Sequence, residues 1–365
     1  MIQRRIGLKP NFDAENILSK SMIQTFVIAE AGVNHNGSEA LALQLVDVAA
    51  NCGADAVKFQ TFKADKLVRR GAAKADYQQA ATGGGDKHSM LAGLEMSESL
   101  HHRLFERCAE KGIEFMSTPF DDEAADFLVD LGMKRIKVPS GEITNLPFLR
   151  YLAGKDRPLI LSTGMATLQE IIEATEVIRS ERGVLGLKAP LESILTVLHC
   201  TSNYPAAPSD VNLRAMGTIA SELGLPVGYS DHTLGLAVST AAVARGAVVI
   251  EKHFTFDCNL PGPDHKASLA PEELAALVSQ IRAVERALGS AEKRPTLAEL
   301  PVRELVRRSV TTARDLPAGV AVSADDLCLL RPGTGIAPRD LDAVFGRLTV
   351  HSIPAGTTLQ WSDFA

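Results

Sequence analysis

Ser230, Asp231 and His232 stand side by side in GYSDHTLG (228–235), and they are the three parts of a hydrolytic triad. Their spacing argues against that use. Side chains alternate faces along a strand, so Ser230 and His232 share one side and Asp231 points the other way. A triad needs its groups to converge in space, and no GxSxG elbow occurs elsewhere in the chain. His232 has a better companion in His253, near the end of VVIEKHF (248–254). Neighbouring strands lie about 4.8 Å apart, so two imidazoles at one level can share a metal ion. The competing reading is a hydrogen-bonded pair that shapes a pocket. Glu251 has the parity of His253 and is expected to point the same way, as a ligand or as the partner of a lysine.

Lys58 and Lys137 fall within short apolar runs, where a lysine is unusual unless an anion or a carboxylate awaits it. Thr118, Ser140, Ser162 and Ser230 close similar runs, and this hydroxyl set favours a phosphate or carboxylate ligand. A lysine–glutamate pair with Glu30 or Glu142 is the structural alternative, and a Schiff-base lysine is the chemical one. Glu30 and Glu142 are candidate acids, bases or cation-stabilising carboxylates. His88, His101, His102 and His351 are expected to be exposed, His199 to pack within its strand, and Cys200 to be structural.

These residues belong to a regular pattern. Eight short β-rich runs recur: 26–30, 54–60, 113–118, 135–140, 158–164, 194–201, 225–231 and 248–254. They are almost continuously apolar, as parallel strands buried on both faces should be. Helix-like segments separate them, several ending at glycine. Eight βα units predict an α/β fold, a (β/α)8 barrel. A doubly wound open sheet competes, but GVNHNG is not its glycine fingerprint. Nearly every run ends in polar residues, and the carboxyl ends of barrel strands surround the active site. The barrel is assigned to residues 1–290 and a charged linker to 291–305. Residues 306–365 form a small β-rich domain in which ARDLPAGVAVSADDL and HSIPAGTTLQWSDF echo each other. That domain is too small to bury a generous core and is expected to lean on the barrel or on a second chain.

The 365 residues are 45% hydrophobic and 22% charged, ordinary for a globular protein. A net charge of −6 argues against general nucleic-acid affinity. No run is apolar and long enough to span a membrane, and the N-terminus has no apolar core of a secretory signal. Five scattered cysteines without a CxxC suit a reducing cytoplasm rather than a disulfide framework.

The ordered set AEAGVNHNG, AVKFQTF, STPFD, KVPSGEITN, LSTGMA, HCTSNYP, GYSDHT, EKHFT, GPDHKAS and RPGTGI resembles the sialic acid synthase family from about residue 24 to the end. The small domain is similar to the antifreeze-like (SAF) domain that closes such enzymes. The resemblance implies condensation of phosphoenolpyruvate with an N-acetylated amino sugar of the N-acetylmannosamine type, giving a nonulosonic (sialic) acid and phosphate. A 2,4-diacetamido-trideoxy hexose giving N,N'-diacetyllegionaminic acid is the alternative by the same chemistry. VKFQTF and EITN lean toward these two branches rather than the pseudaminic one. The resemblance further implies a divalent metal, manganese with magnesium or cobalt as substitutes, on His232 and His253. It places phosphoenolpyruvate on Lys58, Thr118, Lys137, Ser140, Ser162 and Ser230, the sugar on Gln60, Tyr204 and Asp264, and the mechanistic carboxylates at Glu30 and Glu142. Arg331 takes the place of an arginine that, in domain-swapped homodimers, reaches the N-acetyl group of the sugar held by the other subunit. Some members carry asparagine directly after HCT. This chain has Ser202 there and Asn203 one place later, so the departure leaves that ligand contact, and with it the choice of sugar, open. A metal-dependent barrel hydrolase and a non-catalytic sugar-binding protein are the readings from other classes.

Overall fold

The computed structural model describes residues 24–365. Eight parallel strands alternate with helices: β1 (Phe26–Gly32), β2 (Ala56–Thr61), β3 (Glu114–Pro119), β4 (Ile136–Val138), β5 (Leu159–Ser162), β6 (Leu195–Cys200), β7 (Val227–Asp231) and β8 (Val249–His253). They pair in the order β3-β2-β1-β8-β7-β6-β5-β4, with β1 hydrogen-bonded to both β2 and β8. β3 and β4 pack side by side without a ladder, so the (β/α)8 barrel is nearly closed.

Strand alternation sorts the side chains. One set, including Val27, Ala29, Val57, Phe59, Phe115, Val197, Tyr229 and Ile250, faces outward into the layer between strands and helices. The other fills the barrel interior, where Ile28, Ala56, Met116, Ile160, Leu198 and Val249 form an apolar layer. Two residues further along each strand, on the same face, come Glu30, Lys58, Thr118, Ser162, Cys200 and Glu251. The apolar layer is thus the floor, and the polar layer above it is generated by the period of two.

The surrounding helices carry strong local signals. Ser38 and Ser97 cap the helices Glu39–Asn51 and Glu98–Lys111 by accepting from Leu41 N and Leu100 N. Gly112 ends the second of these in the left-handed region, at φ 70°.

The chain divides at Gly289/Ser290 into two compact units. The second has its own core of Val310, Leu316, Val322, Ile336, Val344, Ile353, Leu359 and Phe364. It contains an antiparallel pair, β9 (Ser309–Thr312) and β10 (Leu327–Leu330). The two echoing segments meet there, Leu316 and Ile353 exchanging backbone hydrogen bonds of 2.8 Å in both directions. Each segment then closes with the same capping pattern, Ser323 with Asp326 and Gln360 with Asp363. The stretch read as a linker contains a helix, Glu299–Val306, that clusters with this unit. Pro295 precedes this helix and Pro301 lies in its first turn, where a missing N–H is tolerated.

Gly228 lies in the floor layer, and a Cβ there would meet Val249 O at 2.5 Å and Leu198 Cδ2 at 2.6 Å. Gly228→Ala is expected to cost about 1–3 kcal/mol of stability through overpacking. Urea denaturation checks this, and an unchanged midpoint would show that the floor yields at this point.

Candidate active site

A cavity of about 380 Å³ opens at the carboxyl ends of the strands. Its base is a buried charge cluster. Lys58 Nζ on β2 lies 2.5 Å from Glu30 Oε2 on β1 and donates to Thr118 Oγ1 at 3.1 Å. Lys137 Nζ on β4 donates to Ser162 Oγ at 2.7 Å. Glu251 on β8 stands between the two ammonium groups, 3.6 Å from Lys58 and 3.5 Å from Lys137, and accepts from Ser230 Oγ at 2.9 Å. All four charged side chains are buried.

The two carboxyls behave differently. Burial pushes Glu30 up to about 7, against the pull of Lys58 and with reinforcement from Glu251. Burial also acts to raise Glu251, but Lys137 and Lys58 outweigh it and hold that group down at about 2. Glu251 is therefore a fixed anion, while Glu30 can exchange a proton near neutrality. Lys137 is lowered by burial; Lys58 is also penalised by burial, but Glu251 and Glu30 raise it.

The histidines form the other side. The His232 and His253 rings are 5.6 Å apart between centroids. Nδ1 of His232 donates to the Thr201 carbonyl at 2.7 Å, which leaves its Nε2 with a lone pair. His253 Nδ1 is buried with no hydrogen-bond partner among the described residues. Burial lowers both imidazoles, so they are neutral and able to act as ligands. This donor set fits one divalent ion. Among the described residues no group of three or more His, Cys, Asp or Glu is placed to hold a metal ion, so these two histidines would be the protein's donors to it. The Tyr204 ring covers His232 at 4.1 Å. Asp264, buried and pushed up to about 6 by burial, exerts its field on Tyr77 and Tyr204.

The cavity lining gathers Glu30, Lys58, Gln60, Thr118, Lys137, Ser140, Ser162, Ser202, Tyr204, Ser230, His232 and His253. Ser140 Oγ accepts from Gly164 N at 2.9 Å. A Cβ on Gly164 would lie 2.1 Å from Ser202 Oγ, so glycine is what lets this hydroxyl cluster close. Four expected site residues are outside this lining, Asp264 among them although it lies near Tyr77 and Tyr204. Glu142 ends a 3-10 turn, Ser140–Glu142, and accepts from Asn145 Nδ2 at 2.6 Å without lining the cavity. The turn breaks the period of two that places residues on a strand. Asn203 is exposed and outside the lining. Arg331 is exposed on the second unit, in the loop after β10. His101 is buried rather than exposed, hydrogen-bonded to Thr61 and to the Ser97 carbonyl. Asp231 does face away from the cavity. It binds Lys252 Nζ at 2.8 Å and takes hydrogen bonds from Thr233 and Ser239, tying β7 to β8 and to the next helix.

Glu251, Ala75, Tyr77, Lys87, Phe120 and Met165 also line the cavity. Strand parity pointed to Glu251. The others sit on connections, where no period applies. A tyrosine and a lysine flanking Gly83-Gly84-Gly85 were the one available cue.

The NeuB family model matches residues 45–293 of this chain, and the SAF domain model matches residues 307–365. The chain belongs to the NeuB family. It is an enzyme of the sialic acid synthase type, a transferase. This NeuB-family chain is 55% identical to the N,N'-diacetyllegionaminic acid synthase of Legionella pneumophila, over 93% of this chain and 95% of that one. It is 45% identical to the synthase of the same name from Campylobacter jejuni, over 91% and 97%. Its fold matches the crystal structure of the N-acetylneuraminic acid synthetase of Leptospira borgpetersenii in complex with citrate. That match has a TM-score of 0.67 and 33% identity, over 77% of this chain and 90% of the other.

Asp264 gives a signed pH prediction. Its folded-state pKa lies above the unfolded one, so the folded state binds the proton more tightly and loses stability as pH rises toward about 6. Asp264→Asn is expected to raise the melting temperature clearly at pH 8, by an amount equivalent to about 1–3 kcal/mol, by about half of that at pH 5, and hardly at all near pH 3. Equal shifts at pH 8 and pH 3 would contradict the buried-carboxylate assignment.

Proposed function

We propose that this enzyme condenses phosphoenolpyruvate with a 2,4-diacetamido-trideoxy hexose, giving N,N'-diacetyllegionaminic acid and phosphate. The observation that carries the choice of sugar is the 55% identity to the Legionella synthase over nearly the whole of both chains. It favours this acceptor over the N-acetylmannosamine type that stood first on the sequence motifs alone.

The cavity supports the reading in two halves. Lys58 and Lys137, with the hydroxyls of Thr118, Ser140, Ser162 and Ser230, suit the carboxylate and phosphate of phosphoenolpyruvate. Gln60 and Tyr204 in the lining, with Asp264 near Tyr204, suit the polar face of the sugar. His232 and His253 would hold a divalent ion, with manganese the expected one. When bound, such an ion supplies Lewis-acid polarisation of the aldehyde oxygen. The lysine cluster fixes the enol so that its methylene carbon faces the aldehyde. A carbon–carbon bond forms there, and positive charge develops at the enol carbon. Glu30 lies beside that position on the base of the cavity, and its pKa near 7 lets it take a proton from the water that adds. The carbon–oxygen bond to phosphate then breaks and the ketone remains. Glu251 holds the two lysines in place throughout.

We also infer a domain-swapped homodimer in the cytoplasm. Met165, Leu234 and Phe256 are exposed on loops after β5, β7 and β8, around the cavity mouth, and apolar residues so placed favour a covering surface. The second unit of another copy, carrying Arg331, is the proposed cover.

Phosphate release measured with phosphoenolpyruvate and each sugar in turn tests the reading. The diacetamido hexose is expected to give a kcat/KM at least about tenfold above that of N-acetylmannosamine. The reverse preference would restore the N-acetylneuraminate reading. Chelation is expected to abolish turnover and manganese to restore it. Turnover that survives chelation would remove the ion from the reaction.

A further inference from the structure

The long connection between β2 and β3 carries three short helices, Ala64–Leu67, Asp76–Thr82 and Lys87–Ala92. The middle one is pinned at both ends. Lys74 Nζ donates to Thr82 Oγ1 and to the carbonyls of Gly83 and Gly84. Asp86 accepts from Gly71 N at 2.6 Å, and Lys87 N donates to the Ala72 carbonyl at 2.9 Å. This closed loop presents Ala75, Tyr77 and Lys87 to the cavity.

Its place over the cavity is fixed by stacking. The Tyr77 ring lies 5.2 Å from Tyr204, which lies 4.1 Å from His232 and 5.7 Å from His253. The loop therefore stands on the histidine side of the cavity. The charges differ as well. Lys58 and Lys137 are each held by carboxylates, whereas Lys87, among the described residues, forms no ion pair and is only half-buried. An ammonium, an aromatic ring and a methyl group on one loop lining one cavity match the polar and apolar ends of an acetamido group. The ammonium donates to its carbonyl oxygen, while Tyr77 and Ala75 cover its methyl.

We propose that Lys87, with Tyr77 and Ala75, is the specificity-determining contact for the second acetamido group of the acceptor sugar. This inference rests on the diacetamido reading given above and names the residues that would select it. A hydroxyl at the same sugar carbon is too short to reach both the ammonium and the apolar patch. The loop thus separates a diacetamido sugar from a monoacetamido one.

The test is steady-state kinetics of the wild-type enzyme, Lys87→Met and Lys87→Arg, with the diacetamido hexose, N-acetylmannosamine and phosphoenolpyruvate each varied. The preference for the diacetamido sugar is expected to fall about 10- to 50-fold in Lys87→Met, as for loss of a charged hydrogen bond. Part of it should return in Lys87→Arg, and the KM for phosphoenolpyruvate should move less than about threefold. Calorimetric binding of phosphoenolpyruvate to Lys87→Met establishes that the variant is folded. An unchanged sugar preference would overturn the inference and leave the diacetamido reading standing. A rise confined to the phosphoenolpyruvate KM would overturn it by assigning Lys87 to the anion. A wild-type enzyme that does not turn over the diacetamido sugar would overturn both readings together.

Discussion

Two lysines point into the barrel on β2 and β4, and the structure tolerates them because the carboxylate of Glu251 lies between them. An isolated buried ammonium would lose its proton or unfold its surroundings. Here Glu30 completes the neutralisation from β1, and Ser230, Thr118 and Ser162 take up hydrogen-bonding positions around the group. Such clusters contribute little net stability, yet breaking one by removing a single partner typically costs about 3–5 kcal/mol. On the proposed function the cluster serves as a preorganised anion seat. Its donors are already desolvated and aimed before any ligand arrives, so binding an anionic enol requires little reorganisation.

The barrel makes that arrangement affordable. An apolar layer of Ile28, Ala56, Met116, Ile160, Leu198 and Val249 closes the bottom, and the polar layer follows two residues later on the same face. Register aligns the layers across strands: Glu30 sits opposite both Lys58 and His253, and Ser230 opposite Glu251. The outward-facing pair Asp231 and Lys252 braces β7 against β8 directly behind the histidines. Chemistry and scaffold therefore alternate residue by residue along GYSDH and VIEKH. This is why three neighbouring residues that look like a triad have three separate duties.

Much of this was legible in the sequence because period-two alternation is simple. The eight strands, the inward parity of Glu251 and the outward parity of Asp231 all follow from it. Its reach ends where strands end. Glu142 lies beyond β4 in a 3-10 turn, so neither parity nor motif resemblance fixed its direction, and it hydrogen-bonds to Asn145 outside the lining. Tyr77 and Lys87 lie far along a connection whose path depends on a lysine holding a glycine turn, a contact with no periodic signature. His101 read as a surface histidine on a polar helix. A hydrogen bond to Thr61 and an edge contact to Phe127 draw it inside instead.

The central claim is that the Lys58–Glu251–Lys137 cluster is a seat for the anionic substrate. Calorimetric titration of phosphoenolpyruvate into the wild-type protein and into Lys137→Met tests it most directly. The account predicts binding weaker by about 10- to 100-fold in the variant, the loss of one charge-assisted contact, with a circular dichroism spectrum like that of the wild type. Equal affinity in two equally folded proteins would contradict it.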